Sequence, residues 1–116
     1  MSNLTTHVLD TSIGKPAEKI KIELFKVIDE SLKKINEIHT NSDGRSPGPL
    51  LDNKNHKGIY ELHFHAGEYF ENRKIILPEI KFLDIIIIRF GINDETSHYH
   101  VPLLVSPFGY STYRGS

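Results

Sequence analysis

Apolar and polar positions alternate along several short stretches of this chain, as they do in β-strands that are covered on one face. Residues 19–24 alternate lysine or glutamate with isoleucine or leucine, and residues 60–64 alternate large apolar residues with glutamate and histidine. Residues 99–105 are apolar at every second position; Pro102 within them has no N–H to donate, so we expect it at a sheet edge or a bulge. Residues 82–90 are largely apolar and β-branched, which predicts a strand covered on both faces.

Two further stretches fit a strand less clearly. Leu32, Ile35 and Ile38 recur every three residues, which suits one face of a helix as well as a strand. Residues 66–73 place two aromatic residues between glutamates, as a short helix would. Turn-forming residues separate the stretches at residues 14–16, 41–44, 46–49, 53–58, 91–94 and 106–107. Short strands with frequent turns predict a small, mostly β domain, a sandwich rather than a helical or parallel α/β fold.

Length and composition are those of one ordinary globular domain. The 116 residues contain no repeat and no linker, so we expect residues 1–116 to form a single domain. A hydrophobic share of 38% and a charged share of 25% exclude a disordered chain, and the net charge of −1 gives no support for a nucleic-acid or polybasic membrane partner. The chain has no cysteine, which excludes disulfides and thiol chemistry.

Targeting and membrane segments are not apparent in the sequence. The N-terminus lacks the basic and apolar regions of a secretory signal. The longest apolar run, residues 85–88, is far too short to span a bilayer. We therefore expect a soluble, intracellular protein without a membrane partner.

Histidines are numerous for a chain of this length. The seven histidines are His7, His39, His56, His63, His65, His98 and His100. Taken singly, each is more commonly a solvated or hydrogen-bonded side chain than a ligand. The members of each pair, 63/65 and 98/100, share one face of a predicted strand, and two such pairs could form a zinc site. Nothing in the spacing brings the pairs together, and no nearby carboxylate completes a ligand motif.

Other catalytic motifs are missing from the sequence. It has no Gly-x-Ser-x-Gly elbow, no cysteine for a Cys-His pair and no glycine-rich phosphate loop. Hydrolysis would then need a water activated by histidine, with a cation to hold an anionic substrate or to stabilise developing charge. Arg45 lies in a turn-rich loop where such a cation could stand, although taken alone it fits a solvated loop charge better.

Both ends of the chain and one central turn carry more specific motifs. Residues 4–10 are Leu-Thr-Thr-His-Val-Leu-Asp, residues 43–45 are Asp-Gly-Arg, and residues 98–116 end in Tyr-Arg-Gly-Ser. Together they resemble the two signatures and the central turn of the 5-hydroxyisourate hydrolases, the enzymatic branch of the transthyretin family. The likeness continues through residues 14–17, 60–62, 67–70 and 89–92. It therefore covers the whole chain in order.

The resemblance implies a fold and an assembly. The fold is all-β, a transthyretin-like sandwich of two four-stranded sheets, about eight strands in all, with one short helix. Residues 66–73 would then be the helix, and residues 32–40 a strand. Members of the family are homotetramers, dimers of dimers, whose central channel contains the active sites. Relatives occur in the cytosol and in peroxisomes; since the C-terminus is not Ser-Lys-Leu, we expect the cytoplasm.

The resemblance also implies a reaction and its residues. His7, Arg45 and His100 match the catalytic positions. The substrate-binding positions are matched by His7, Arg45, Tyr113, Arg114, Gly115 and Ser116, the last four forming the diagnostic tetrapeptide. The reaction would be the hydrolysis of 5-hydroxyisourate to 2-oxo-4-hydroxy-4-carboxy-5-ureidoimidazoline in urate degradation, without cofactor or metal. One histidine would take a proton from water and the other would orient or donate, and the sequence does not say which.

Two other functions stay open at this point. The transthyretins that carry thyroid hormone share the fold but lack the tetrapeptide and the catalytic histidines, so a non-catalytic small-molecule carrier is the alternative. A metal-binding module that uses the histidine pairs is the other. The chain departs from the family at His63 and His65, where relatives more often carry arginine and aspartate, and at residues 85–86, which replace more polar residues.

Overall fold

The computed structural model describes residues 3–52 and 56–116, and these form two β-sheets and one short helix. In the described residues the elements are β1 (Asn3–Asp10), β2 (Lys15–Pro16), β3 (Lys21–Ile28), β4 (Ser31–His39), β5 (Gly58–His65), α1 (Ala66–Asn72), β6 (Ile85–Ile92), β7 (His98–Ser106) and β8 (Gly109–Thr112). One sheet has the order β2-β1-β7-β8 and the other β4-β3-β5-β6. The prediction of an all-β sandwich with one helix is therefore confirmed.

The core lies between the two sheets and is formed mainly by alternate side chains of their inner faces, together with side chains of α1 and of the segment before β3. The largest fully buried apolar side chains are Tyr60, Phe64, Phe70, Leu4, Ile20, Ile22, Leu24, Leu62 and Leu103. Burying each such side chain stabilises the fold by about 1.5–3 kcal/mol. Because strand side chains alternate, the residues between them point away from the core. The outer face of each sheet is thus free for polar groups.

Both ambiguous stretches adopt the structure that the resemblance implied. Residues 32–39 fall in β4, which ends one residue before Thr40. This strand pairs with β3 alone and is largely exposed, so backbone pairing rather than side-chain burial stabilises it. Residues 66–72 form α1, with Arg73 as its C-cap, and the helix buries Tyr69 and Phe70. Of the turns, the one expected at residues 53–58 begins with residues 53–55, which lie outside the described residues. Within the described part of the chain, no helix is long and apolar enough to cross a membrane.

The prediction for residues 82–90 was wrong in its start and in its burial. The strand begins at Ile85, and Phe82 lies before it with 73% of its surface exposed. Ile85 and Ile87 are 45% and 50% exposed, whereas Ile86 is buried. The apolar run is continuous, yet only alternate residues can face the other sheet. In this chain β6 is therefore covered on one face.

The prediction for Pro102 was also wrong, since it lies inside β7, between β1 and β8. The carbonyl of Pro102 accepts a hydrogen bond from Thr112 Oγ1 at 2.7 Å, so its nitrogen also faces the β8 side. The β7–β8 ladder stops at the Leu103–Thr112 pair, and the next pairing on that side is an isolated bridge between His100 and Gly115. The missing N–H therefore falls in a gap in the ladder.

Candidate active site

The register of β1 against β7 places four polar side chains on one surface. The two strands run parallel, with Thr5 opposite His100 and Asn3 opposite His98. Alternation along β1 then adds His7 to the same side as Thr5. The residues between them on each strand point into the core. The outer face of this sheet thus collects three histidines and a hydroxyl.

The loop after β4 brings Arg45 to the same surface. Arg45 forms an isolated antiparallel bridge with His7, and the backbone N–H of Val8 donates to the carbonyl of Gly44 at 2.7 Å. Asn41 shapes this loop, because its Oδ1 accepts the N–H of Arg45 at 3.1 Å and its own N–H donates to the carbonyl of Arg45 at 2.9 Å. Asn41 was not singled out from sequence, although asparagine is a common turn residue.

The Asp-Gly-Arg turn requires glycine at its centre because there is no room for a side chain. Gly44 has a φ of +71°, and a Cβ there would lie 2.5 Å from the carbonyl oxygen of Val8 and 2.9 Å from Cβ of Pro16. Any side chain would push the loop away from β1. Gly44 therefore holds Arg45 beside His7 without touching the site itself.

The C-terminal tail closes the other side of the site. The N–H of Gly115 donates to the carbonyl of His100 at 2.8 Å. A Cβ on Gly115 would lie 2.6 Å from Cδ2 of His100, so the tail backbone lies directly against the imidazole ring. The pocket between these elements has a volume of about 360 Å³ and is lined by Thr5, His7, Arg45, His98, His100, Tyr113, Gly115 and Ser116.

A continuous row of hydrogen bonds joins the polar side chains. Nδ1 of His7 lies 2.6 Å from Nε2 of His100, and Nδ1 of His100 lies 2.8 Å from Oγ1 of Thr5. The same Oγ1 lies 3.0 Å from Nε2 of His98. His100 is buried at 9% exposure, whereas His98 is exposed. The row therefore runs along the pocket, from the part-buried His7–His100 pair to the exposed imidazole of His98.

Burial and positive charge keep the two pocket histidines neutral. Burial lowers the pKa of His7 below its ordinary value, and the nearby Arg45 guanidinium lowers this pKa further. Burial likewise lowers the pKa of His100, with further lowering by His7, Arg45 and His98 and a smaller opposing effect of a hydrogen bond with the backbone of Thr5. A neutral imidazole has one nitrogen without a proton, so this pair can accept a proton from water near neutral pH.

Comparison with known proteins identifies the family of the chain. A sequence model of the HIUase/transthyretin family matches residues 4–115. The chain belongs to this family. It is 54% identical over 114 residues to 5-hydroxyisourate hydrolase 2 of Rhizobium meliloti strain 1021, with 97% of this chain and 95% of the relative covered. It is 50% identical over 117 residues to 5-hydroxyisourate hydrolase of Ralstonia nicotianae, with 100% of both chains covered.

Solved structures agree with the family. Klebsiella pneumoniae 5-hydroxyisourate hydrolase has a TM-score of 0.82 and 31% identity, with 98% of this chain and 99% of that chain covered. An (S)-allantoin synthase has a TM-score of 0.92 and 47% identity over 99% of this chain, which spans only 44% of the synthase. The predicted transthyretin-like fold and the enzyme type of the family are confirmed.

This member of the HIUase/transthyretin family brings most of its predicted site residues together. His7, Arg45, His100, Tyr113, Gly115 and Ser116 line one pocket. Arg114 does not, because its guanidinium lies over the ring of Tyr99, 4.1 Å from the ring centre, beside a different pocket. Thr5 was missed as a site residue, and His98 was considered only for metal binding. The alternation that placed His98 and His100 on one face also places Thr5 and His7 together.

The two histidine pairs lie on different sheets of this family member. His63 and His65 are on β5, where they hydrogen-bond to Glu61 at 2.9 Å and to Glu23 at 2.6 Å. His98 is on β7 in the other sheet. Among residues 3–52 and 56–116, no three histidine, aspartate or glutamate side chains are grouped closely enough to hold a metal ion. The geometry therefore gives no support to a zinc site built from both pairs.

Proposed function

We propose that this chain hydrolyses 5-hydroxyisourate to 2-oxo-4-hydroxy-4-carboxy-5-ureidoimidazoline, a step of urate degradation. The observation that carries the proposal is the His7–His100 pair, whose ring nitrogens are 2.6 Å apart, beside Arg45 in a pocket of about 360 Å³. That volume suits a small heterocycle. Relatives that are 50% and 54% identical bear the name of this activity. Residues 1–116 would act as one hydrolase domain.

The reaction opens a cyclic amide by adding water. One neutral histidine of the pair takes a proton from water as the oxygen attacks the ring carbonyl. The Arg45 guanidinium, with five donors in a fixed plane, binds the planar ring and stabilises the oxyanion. The ring nitrogen leaves with a proton, and the new carboxylic acid ionises. No cofactor or metal takes part, and Tyr113 and Ser116 close the pocket around the substrate.

The assembly and the compartment belong to the same proposal. We propose a homotetramer, a dimer of dimers, with the pockets in a central channel. Tyr113 and Phe108 are 57% and 64% exposed in the single chain, and β6 and β8 are both edge strands, so apolar surface and free strand edges are available. Light scattering should give about four times the chain mass of 13.3 kDa. An active, strictly monomeric species would contradict this arrangement. The cytoplasm stays the predicted compartment.

A spectrophotometric assay with freshly generated 5-hydroxyisourate tests the function directly. We expect the protein to accelerate decay of the substrate over a protein-free control, equally before and after dialysis against a chelator. Binding without acceleration would instead indicate a small-molecule carrier. Activity that is lost on chelation and restored by zinc would indicate a metal-dependent site.

The pH profile should report the lowered pKa values. A histidine whose pKa is lowered stays neutral to lower pH, so we expect kcat/KM to fall only below pH 6.5, the ordinary histidine value. In Arg45→Gln the positive charge is gone, and this fall should move part of the way back toward pH 6.5 because burial remains. Lys33→Gln, which removes an exposed cation on β4, is the control. An unmoved profile in Arg45→Gln would contradict the electrostatic role of Arg45.

A further inference from the structure

The hydroxyl of Thr5 occupies an unusual position for a strand threonine. The neighbouring Thr6 shows the ordinary arrangement, in which Oγ1 donates to a backbone carbonyl, here that of Val101 at 2.6 Å. Oγ1 of Thr5 instead lies between two imidazole nitrogens, of His98 at 3.0 Å and of His100 at 2.8 Å. The hydroxyl has one proton and two acceptor lone pairs, so it can donate to one ring while it accepts from the other. Thr5 therefore couples the protonation of the two rings.

We propose that Thr5 and His98 form a proton relay between the part-buried His7–His100 pair and solvent. The relay rests on the proposed hydrolysis and adds a proton path to it. The need for a path follows from the geometry. The Gly115 backbone lies against the ring of His100, and a substrate in contact with His7 would separate that ring from bulk water. Of the three histidines that line the pocket, only His98 is exposed, so it is the end of the row that meets water.

The hydrogen bonds also indicate which histidine acts as the general base that takes the proton from water. Both nitrogens of His100 are engaged, Nδ1 by Thr5 and Nε2 by His7. Among the described contacts of His7, Nδ1 is engaged by His100, and no partner is assigned to Nε2. Nε2 of His7 is thus the nitrogen of the pair that can meet a water in the pocket. In the state ready to react, Nε2 of His7 has no proton, and every donor in the row points toward His98.

One turnover returns the row to its starting state. When Nε2 of His7 takes a proton from water, the Nδ1 proton of His7 passes to Nε2 of His100. The Nδ1 proton of His100 then passes to the hydroxyl of Thr5, and the hydroxyl proton of Thr5 passes to Nε2 of His98. His98 then releases its Nδ1 proton to solvent. When Nε2 of His7 gives its proton to the leaving ring nitrogen, the same shifts run in reverse, and His98 takes a proton from solvent.

The protons balance over this cycle. One proton leaves from the attacking water, and one enters for the leaving nitrogen. The C–N bond of the ring is broken, a C–O bond is formed, and the product is a carboxylic acid. Its ionisation releases one proton per turnover to solvent.

The relay is tested by variants of Thr5 and His98 assayed at low buffer concentration. Thr5→Val keeps the shape and removes the hydroxyl, and it should lower kcat about tenfold or more while KM stays unchanged, a smaller loss than the removal of an acid–base group itself. Thr5→Ser should retain the parent kcat. His98→Gln should lose kcat similarly, and added imidazole buffer should restore it. Parent kcat in Thr5→Val, or equal loss in Thr5→Val and Thr5→Ser, would overturn the relay.

Matched controls separate the relay from general damage to the sheet. Thr6→Val removes a hydroxyl from the next position of β1, on the core side, and should not make kcat depend on buffer concentration. His39→Gln removes an exposed histidine at the end of β4 and should also leave the buffer dependence unchanged.

A measurement without substrate keeps this test separate from that of the proposed function. In the parent, the ¹⁵N shifts of the His100 ring should follow the titration of His98, because the Thr5 hydroxyl reverses with it. In Thr5→Val this response should vanish, and in Thr6→Val it should persist. If the response persists in Thr5→Val, the relay is wrong even if the protein hydrolyses 5-hydroxyisourate. If the response vanishes but the parent has no turnover, the proposed function fails and the coupling stands.

Discussion

Replacement of either His7 or His100 by alanine is expected to lower kcat for 5-hydroxyisourate by about 10²–10⁴-fold, the usual contribution of a positioned acid–base group. The two rings are joined at 2.6 Å, and their lowered pKa values leave both neutral. Removing either ring leaves the other without its hydrogen-bond partner. A single substitution should therefore abolish the acid–base function of the whole pair. Both side chains lie on the outer face of their sheet, so the core should stay intact.

The double variant makes this prediction sharper. If the pair acts as one unit, His7→Ala/His100→Ala should be about as slow as the slower single variant, because effects within one unit are not additive. His39→Ala, at an exposed position of the other sheet, should keep the parent rate. Near-parent turnover in a folded single variant would remove that residue from the catalytic set, and fully multiplicative losses would contradict the paired role.

The C-terminal tail should matter as much as the histidines. Chain ends usually fray unless they are tied down, and this one is held by the bond from the Gly115 N–H to the His100 carbonyl at 2.8 Å. Deleting residues 114–116 removes that bond together with Ser116, which lines the pocket. We expect kcat/KM to fall well beyond any loss of thermal stability, as it should with a tag placed directly after Ser116.

A single methyl group offers a finer test of the tail. In Gly115→Ala the new Cβ would lie 2.6 Å from Cδ2 of His100, and that ring cannot shift without breaking its bonds to Thr5 and His7. We expect kcat to fall while thermal unfolding changes little. Gly109→Ala is the control, because its nearest atom, Oγ of Ser106, is 3.7 Å away at ordinary contact distance. If the truncated protein and Gly115→Ala are both folded and as active as the parent, the tail is not part of the site.

Local sequence patterns predicted much of this molecule for a simple reason. A strand with one buried face repeats every two residues, so residues 19–24 and 60–64 indicated strands by themselves. The same repeat placed His98 and His100 on one face. Residues 32–38 stayed ambiguous between helix and strand because β4 pairs through its backbone at a sheet edge, where side-chain periodicity carries little information. The family motifs, rather than periodicity, pointed to His7 and Arg45.

What only the tertiary structure decided is which strands are neighbours and in what register. His7 and His100 are 93 residues apart in the chain, and their contact depends on the parallel pairing of β1 with β7. That pairing is made by backbone N–H and C=O groups, which almost all residues share. The local sequence of either strand therefore does not indicate which strand it pairs with. A shift of one residue would turn one strand's side chains to the other face. The place of Thr5 between two rings and the position of Arg114 over Tyr99 therefore follow from packing. The residue types that give the site its chemistry were already evident from the sequence motifs.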